Sequence, residues 1–287
     1  MMAKIIDGKQ IASNLNQQTA MRTKTLINNG ITPGLAVVLV GDDPASVIYT
    51  RNKSRQANQL GFYSVLKKYP AEVSEATLLG EIQKLNADPQ IHGILVQSPL
   101  PAHISESRVI EAIAPQKDVD GFNPVNVGKL YTNDQTNYPV ACTPRGIMTM
   151  LETMDIDVTG AEVAIIGRSH LVGKPLQALM MNHDATVTIL HHASQDANYY
   201  LKHADIIVVA VGKPQFLKAN QVKPGAVVID VGINRQADGH LVGDVDYDDV
   251  SNVASAITPV PGGVGPMTIA TLMQQTVDLA EWSISND

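Results

Sequence analysis

Tyr49 and Lys53 stand four residues apart in a segment that reads as a helix, so they share one face. A lysine is a general base only while neutral, and its ordinary pKa of about 10.4 is too high for that near pH 7. Burial lowers such a group, and a carboxylate neighbour raises it. Gln97 closes the apolar stretch Ile94-Leu95-Val96 and precedes Ser98-Pro99-Leu100-Pro101, which places a polar amide at a strand end where sites form. It could orient Lys53 without stabilising its charge. Asp118 and Asp120 follow in the next loop, and an aspartate there could hold a heterocyclic amine. A solvated helix face is the plain reading of Tyr49 and Lys53 alone. Convergence with Gln97 is what favours a catalytic lysine.

A second constellation lies further on. Glu162-Val163-Ala164-Ile165-Ile166-Gly167 reads as a strand ending in glycine, and Arg168-Ser169-His170-Leu171-Val172-Gly173-Lys174-Pro175 leads into a helix. A glycine turn between a parallel strand and a helix N-terminus presents backbone N–H groups to a pyrophosphate. The G-x-G-x-x-G spacing is absent, so an ordinary strand–helix turn explains this segment equally well on its own. The next strand, Thr186-Val187-Thr188-Ile189-Leu190, runs into His191-His192-Ala193-Ser194 without the acidic residue that holds the ribose of NAD. Arg168 beside the first strand could meet a 2′-phosphate, so NADP is expected over NAD, although a His pair is also common at a solvated strand end. Two later strands end at Gly212 and at Gly232-Ile233, where small residues allow close approach of a ligand.

The elements that must position these groups alternate. Apolar runs at 35–40, 93–96, 162–166, 186–190, 206–211 and 226–231 read as buried strands. Helical patterns fall at 8–29, 45–60, 74–86, 175–182 and 195–203. The class is α/β with parallel sheets. Residues 115–139 read as a polar loop, and Thr143-Pro144 and Gly265-Pro266 as helix starts. The expected domains are residues 1–140 with a returning terminal helix at 267–287, and a Rossmann-like domain at 141–266.

Bulk composition narrows the partners. The 287 residues carry 21 Lys plus Arg against 28 Asp plus Glu, a formal charge of −7, which argues against nucleic-acid binding. No apolar run nears the roughly 18 residues of a membrane span. Cys142 is the single cysteine, so neither an intrachain disulfide nor a cysteine metal cluster is expected. The opening MMAKIIDGKQIASNL lacks a signal-peptide pattern, and a cytoplasmic location is expected.

Taken together, the motifs are similar to those of the bifunctional methylenetetrahydrofolate dehydrogenase/cyclohydrolase family. The resemblance rests on Tyr49-Thr50-Arg51-Asn52-Lys53, on Ile94 through Pro101, and on Lys117-Asp118-Val119-Asp120-Gly121-Phe122-Asn123-Pro124. Further along, Cys142-Thr143-Pro144-Arg145-Gly146, Gly167-Arg168-Ser169 with Val172-Gly173-Lys174-Pro175, and Asp230-Val231-Gly232-Ile233-Asn234 carry it. Thr258 through Thr268, with Pro261-Gly262-Gly263, is its most specific stretch.

The resemblance implies a two-domain homodimer with an active-site cleft between the domains. It also implies oxidation of 5,10-methylenetetrahydrofolate with NADP+, then hydrolysis of the methenyl product to 10-formyltetrahydrofolate. Lys53 is then the catalytic lysine, flanked by Tyr49 and Gln97, with Asp120 on the pterin. Pro99, Leu100 and the Pro261-Gly262-Gly263 loop line the substrate. Gly167, Arg168, Ser169, Val172, Gly173, His191, His192, Ser194, Gly212, Gly232 and Ile233 surround NADP.

This chain departs from the family pattern at Ser98, where Leu is frequent, and at His192, where many relatives have Ser. A histidine donates to a phosphate best when protonated, so NADP binding is expected to weaken as pH rises through the imidazole range. The competing readings are a dehydrogenase without the hydrolytic step, a non-catalytic nucleotide-binding regulator, and an amino-acid dehydrogenase of similar architecture.

Overall fold

The structure is a computed structural model that describes residues 2–285, with side chains to residue 284. In chain order the first half holds β1 (Lys4–Ile5), α1 (Gly8–Asn28), β2 (Gly34–Val40), α2 (Pro44–Gln59), β3 (Tyr63–Tyr69), α3 (Glu75–Ala87), β4 (Gly93–Val96), α4 (Glu106–Ala112) and α5 (Pro124–Tyr131). The second half holds α6 (Cys142–Thr153), β5 (Glu162–Ile166), α7 (Gly173–Asn182), β6 (Thr186–Leu190), α8 (Ala197–His203), β7 (Ile206–Val209), β8 (Val227–Asp230), β9 (Asn234–Arg235), β10 (Leu241–Val242), α9 (Tyr247–Val250), β11 (Ala256–Ile257) and α10 (Val264–Ser285). Among the described residues, no helix is long and apolar enough to cross a membrane.

The chain forms two compact units, Asn14–Cys142 with Leu272–Asp287, and Met1–Ser13 with Thr143–Thr271. The sequence reading groups the first residues with the first half. The structure pairs β1 in parallel with β11, Lys4 opposite Ala256, and that pairing carries them into the second-half unit.

In the first-half unit a parallel three-stranded sheet has the order β3-β2-β4. The central strand, Gly-Leu-Ala-Val-Val-Leu-Val, is buried along its whole length, as expected for a parallel strand covered on both faces. Leu78, Ile82 and Leu85 of α3 recur at helical spacing and pack with Ala36, Val38 and Ile94 in one core. Strand β3 escapes the sequence reading because it is an edge strand that carries Lys67 and Lys68 among half-buried apolar residues. The expected loop at 115–139 contains α5, started by an Asn123 cap on the Val125 N–H with Pro124 in the first turn.

The second-half unit is a six-stranded parallel sheet of order β1-β11-β8-β7-β5-β6. β6 lies on one side of β5 and β7 on the other, so the chain reverses its direction of travel across the sheet at β5. Ligands of open parallel sheets bind at the carboxyl ends beside such a switch point. Strands β7 and β8 are each two residues shorter than the apolar runs at 206–211 and 226–231: β7 ends at Val209, and β8 runs only from Val227 to Asp230.

Candidate functional site

Asp43 caps α2 by accepting the Ser46 N–H at 2.8 Å, with Pro44 in the first turn, and this fixes the helix that carries Tyr49 and Lys53. Lys53 Nζ donates to Gln97 Oε1 at 3.0 Å, and Gln97 Nε2 donates to the Ser98 carbonyl at 2.8 Å. The amide is thereby oriented from behind, and its oxygen faces the lysine. Tyr49 keeps 43% of its surface exposed, one helical turn from Lys53. Ser98 donates to the Glu106 carboxylate of α4, so this departure from the family pattern gains a local tie. Leu100 packs on the core of the unit, while Pro99 remains exposed.

The two aspartates of the following loop divide their labour. Asp118 is buried and accepts from Gly121 N, Asn123 N and Asn126 Nδ2 at 3.1, 2.8 and 2.9 Å, so it organises the loop. Burial pushes its carboxyl above the ordinary range. Asp120 is half-buried, and its carboxyl is pushed up to about 6, mainly by desolvation and further by Asp118, against the pull of Lys53. The sequence reading sets a carboxylate apart from the lysine. The structure instead puts Lys53, Gln97 and Asp120 in one electrostatic neighbourhood.

In the other unit, Gly167 follows β5 at φ +125°, and a Cβ there would lie 2.3 Å from the Ala210 carbonyl oxygen. At Gly173 a Cβ would lie 2.0 Å from the Gly167 carbonyl oxygen. Backbone therefore packs directly on backbone where α7 begins. Ser169 Oγ accepts the Val172 N–H at 3.2 Å and holds the intervening turn. Such a cradle, at a helix N-terminus and a sheet switch point, fits a dinucleotide pyrophosphate.

At the end of β6, Ser194 Oγ accepts the His191 N–H at 2.9 Å, and His191 Nδ1 accepts the Ala193 N–H at 3.2 Å. The His191 and His192 rings lie 5.8 Å apart. Partial desolvation, then the charges of Arg168 and His192, hold the His191 imidazole below its ordinary pKa. Arg168 and both histidines thus form one basic cluster, suited to a 2′-phosphate.

Gly212 and Gly232 are held by a device the sequence reading missed. Asp244 is fully buried, and its Oδ2 accepts Val211 N and Gly212 N at 2.6 and 2.8 Å. Its Oδ1 accepts Asn234 Nδ2 at 2.8 Å. Asp230 accepts Gly232 N, Asp244 N and Val245 N, each at 2.9 Å. Burial lifts Asp230 to about 6; these donors oppose the rise and the Asp244 charge adds to it. The polar residue closing the apolar run Val227-Val228-Ile229 was a signal for it, but nothing in sequence links Asp230 to Asp244. Replacing Asp244 by Ala strands two backbone N–H groups, and a loss of about 2–4 kcal/mol is expected. Urea unfolding checks this, and an unchanged midpoint would remove the pair from the account. Ile233 is 48% exposed beside the start of α10.

The Pro261-Gly262-Gly263 loop belongs to this same unit, after β11. Gly262 carbonyl accepts the Lys9 N–H at 3.0 Å, and a Cβ on Gly8 would lie 1.8 Å from the Gly263 carbonyl oxygen. Residues 6–120 match the tetrahydrofolate dehydrogenase/cyclohydrolase catalytic domain, and residues 141–284 match the NAD(P)-binding domain of that family.

The chain belongs to the tetrahydrofolate dehydrogenase/cyclohydrolase family.

Among its relatives in this family, bifunctional protein FolD 1 of Lactobacillus johnsonii is 61% identical over 282 residues, covering 98% of this chain and 100% of that protein. The crystal structure of the bifunctional FolD methylenetetrahydrofolate dehydrogenase/cyclohydrolase of Campylobacter jejuni superposes with a TM-score of 0.96 at 42% identity, covering 98% and 99% of the two chains. The Trypanosoma brucei methylenetetrahydrofolate dehydrogenase-cyclohydrolase, solved with NADP and an inhibitor, gives 0.94 at 35% identity, with 99% of each chain covered. Membership in this family bears out the expected α/β class, the two-domain organisation and the assignment as a bifunctional enzyme of folate one-carbon metabolism.

Proposed function

We propose that this chain oxidises 5,10-methylenetetrahydrofolate with NADP+ and hydrolyses the methenyl product to 10-formyltetrahydrofolate, with Lys53 as the lysine of the hydrolytic step. The single observation that carries this reading is the Lys53–Gln97 hydrogen bond beside Asp120 in a chain of this family. Bound NADP+ supplies the hydride acceptor. Gly167, Arg168, Ser169, Val172 and Gly173 would hold its phosphates, and His191, His192, Ser194, Gly212, Gly232 and Ile233 would complete the cofactor site.

In the hydrolytic step, water forms a bond to the methenyl carbon, and Lys53 Nζ takes up a proton from that water. The bond from that carbon to one folate nitrogen then breaks, and the formyl group stays on the other; one proton is released overall. Gln97 keeps Nζ directed at the reacting carbon. Asp120 accepts hydrogen bonds from the pterin amine, and Tyr49, Pro99 and Leu100 pack on the substrate. A homodimer and a cytoplasmic location complete the proposal, the first open to sedimentation velocity.

The test is an absorbance assay of methylenetetrahydrofolate oxidation with NADP+ and NAD+ in parallel, beside hydrolysis of methenyltetrahydrofolate. Activity in both with NADP+ preferred is the expected result. A folded protein inactive in both removes folate. Arg168→Ala is expected to raise the Kd for NADP+ about tenfold and to leave NAD+ nearly unchanged, because the lost contact is to the 2′-phosphate alone. Equal losses for the two nucleotides would take Arg168 off that phosphate. NADP+ affinity is also expected to fall as pH rises through the imidazole range, because a histidine beside Arg168 donates to the phosphate best when protonated. Calorimetric titration between pH 6 and 8, corrected for the phosphate's own ionisation, reads this directly; a flat profile excludes His192 as a donor.

A further inference from the structure

A cavity of about 760 Å³ opens in the first-half unit, away from Lys53, Gln97 and Asp120. Its size lies within the range of small-molecule sites. Strand β4 defines the separation. Ile91 and His92, just before the strand, line the cavity, whereas Gln97, just after it, holds Lys53. At about 3.3 Å per residue, roughly 13 Å of strand lies between them.

The lining inverts the charge of the chain. The protein carries a formal charge of −7, yet the cavity walls include Lys117, Lys129 and His92 and no acidic side chain. Lys117 Nζ donates to the Leu85 and Asp88 carbonyls at 3.3 and 2.7 Å, which uses two of its three protons and fixes the ammonium in place. Burial holds this lysine below its ordinary range, so its charge is poorly solvated. Lys129 Nζ donates to Thr136 Oγ1 at 3.1 Å, and Asp134 outside the lining shares its field. His92 Nδ1 accepts the Gly34 N–H at 3.0 Å, so its remaining ring proton sits on Nε2 as a further donor. Helix α10 contributes Leu279 and Trp282 to the same lining. An indole and two ammonium groups in one lining suit an aromatic anion, its ring on the indole and its charge on the lysines.

We propose that this cavity is a second binding site for a small aromatic anion of the nucleoside monophosphate kind. The proposal does not depend on the folate reading, because none of its residues serves that site.

Trp282 is the only tryptophan of the chain, so its emission reports this cavity. Adenosine 5′-monophosphate is titrated into the full-length protein, with and without saturating NADP+, while Trp282 fluorescence is recorded. Adenosine and inorganic phosphate are titrated separately. The expected result is a saturable change with AMP at the same midpoint in both conditions, and midpoints at least about tenfold weaker for adenosine and for phosphate. Lys129→Glu is expected to weaken AMP about tenfold while leaving the dehydrogenase rate and the melting temperature unchanged. No saturable change up to about 10 mM AMP overturns the proposal. So does a change that NADP+ abolishes, or one that adenosine or phosphate alone reproduces at the AMP midpoint. Trp282→Leu, followed by calorimetry, gives the second reading: the AMP heat disappears if the indole is the stacking wall, and its persistence overturns the assignment.

Discussion

Replacing Lys53 by Met is expected to lower hydrolysis of 5,10-methenyltetrahydrofolate by about 10²–10⁴-fold, the usual contribution of a positioned acid–base group. Methionine keeps the length of the side chain and its apolar stem but has no proton to exchange. The Gln97 amide, still oriented by the Ser98 carbonyl, then loses its partner at 3.0 Å without a change in the fold. Lys53→Arg is expected not to rescue the reaction, because a guanidinium keeps its proton at any pH the protein survives. NADP+ affinity should be unaffected in both variants, since Arg168 and the glycine cradle lie in the other unit. Hydrolysis is followed by the loss of methenyl absorbance, and nucleotide binding by calorimetry. Hydrolysis within about threefold of the parent in Lys53→Met would refute the assignment of the lysine.

The second large effect concerns Asp120, where function and stability are expected to move in opposite directions. Its carboxyl titrates at about 6, raised from 3.8 by desolvation, so the folded state holds this proton more tightly than the unfolded chain does. Stability therefore falls as pH rises from the unfolded pKa through the folded one, and at pH 7.5 the ionised group is a net cost. A lift of about two pH units corresponds to about 3 kcal/mol, less the part that solvent screens at a half-buried group. Asp120→Asn removes that charge with little change in shape. We expect its melting temperature to rise by about 2–4 °C at pH 7.5 and to match the parent near pH 4.

The same variant loses the charged acceptor for the pterin amine, and kcat/KM for the folate substrate should drop by about 10²-fold. In the parent, the acid limb of the kcat/KM profile is expected near pH 6 as Asp120 ionises; in Asp120→Asn that limb disappears. A variant that is both less stable and fully active would show that Asp120 is a structural carboxylate like Asp118.

The sequence by itself determined the elements whose cause is local. Buried parallel strands read as continuous apolar runs because both of their faces are covered, and β2, β4, β5, β7 and β8 are legible for that reason. Glycines at 167 and 173 were also legible, since close backbone approach admits no other residue. Tyr49 and Lys53 could be placed on one face from helical spacing alone.

Tertiary structure decided what depends on distant partners. Edge strand β3 has the composition of a surface and becomes a strand only by pairing with β2. The two-residue strand β1 is set by β11, some 250 residues later. Asp118 and Asp120 are indistinguishable as letters, but three donors converge on the first and Lys53 acts on the second. Asp230 and Asp244 lie far enough apart in sequence that only the packing of β8 against the following loop makes them one network. Desolvation and donor geometry are properties of the assembled interior, and they turned chemically equal carboxylates into a loop organiser, a site residue and a cofactor-loop clasp.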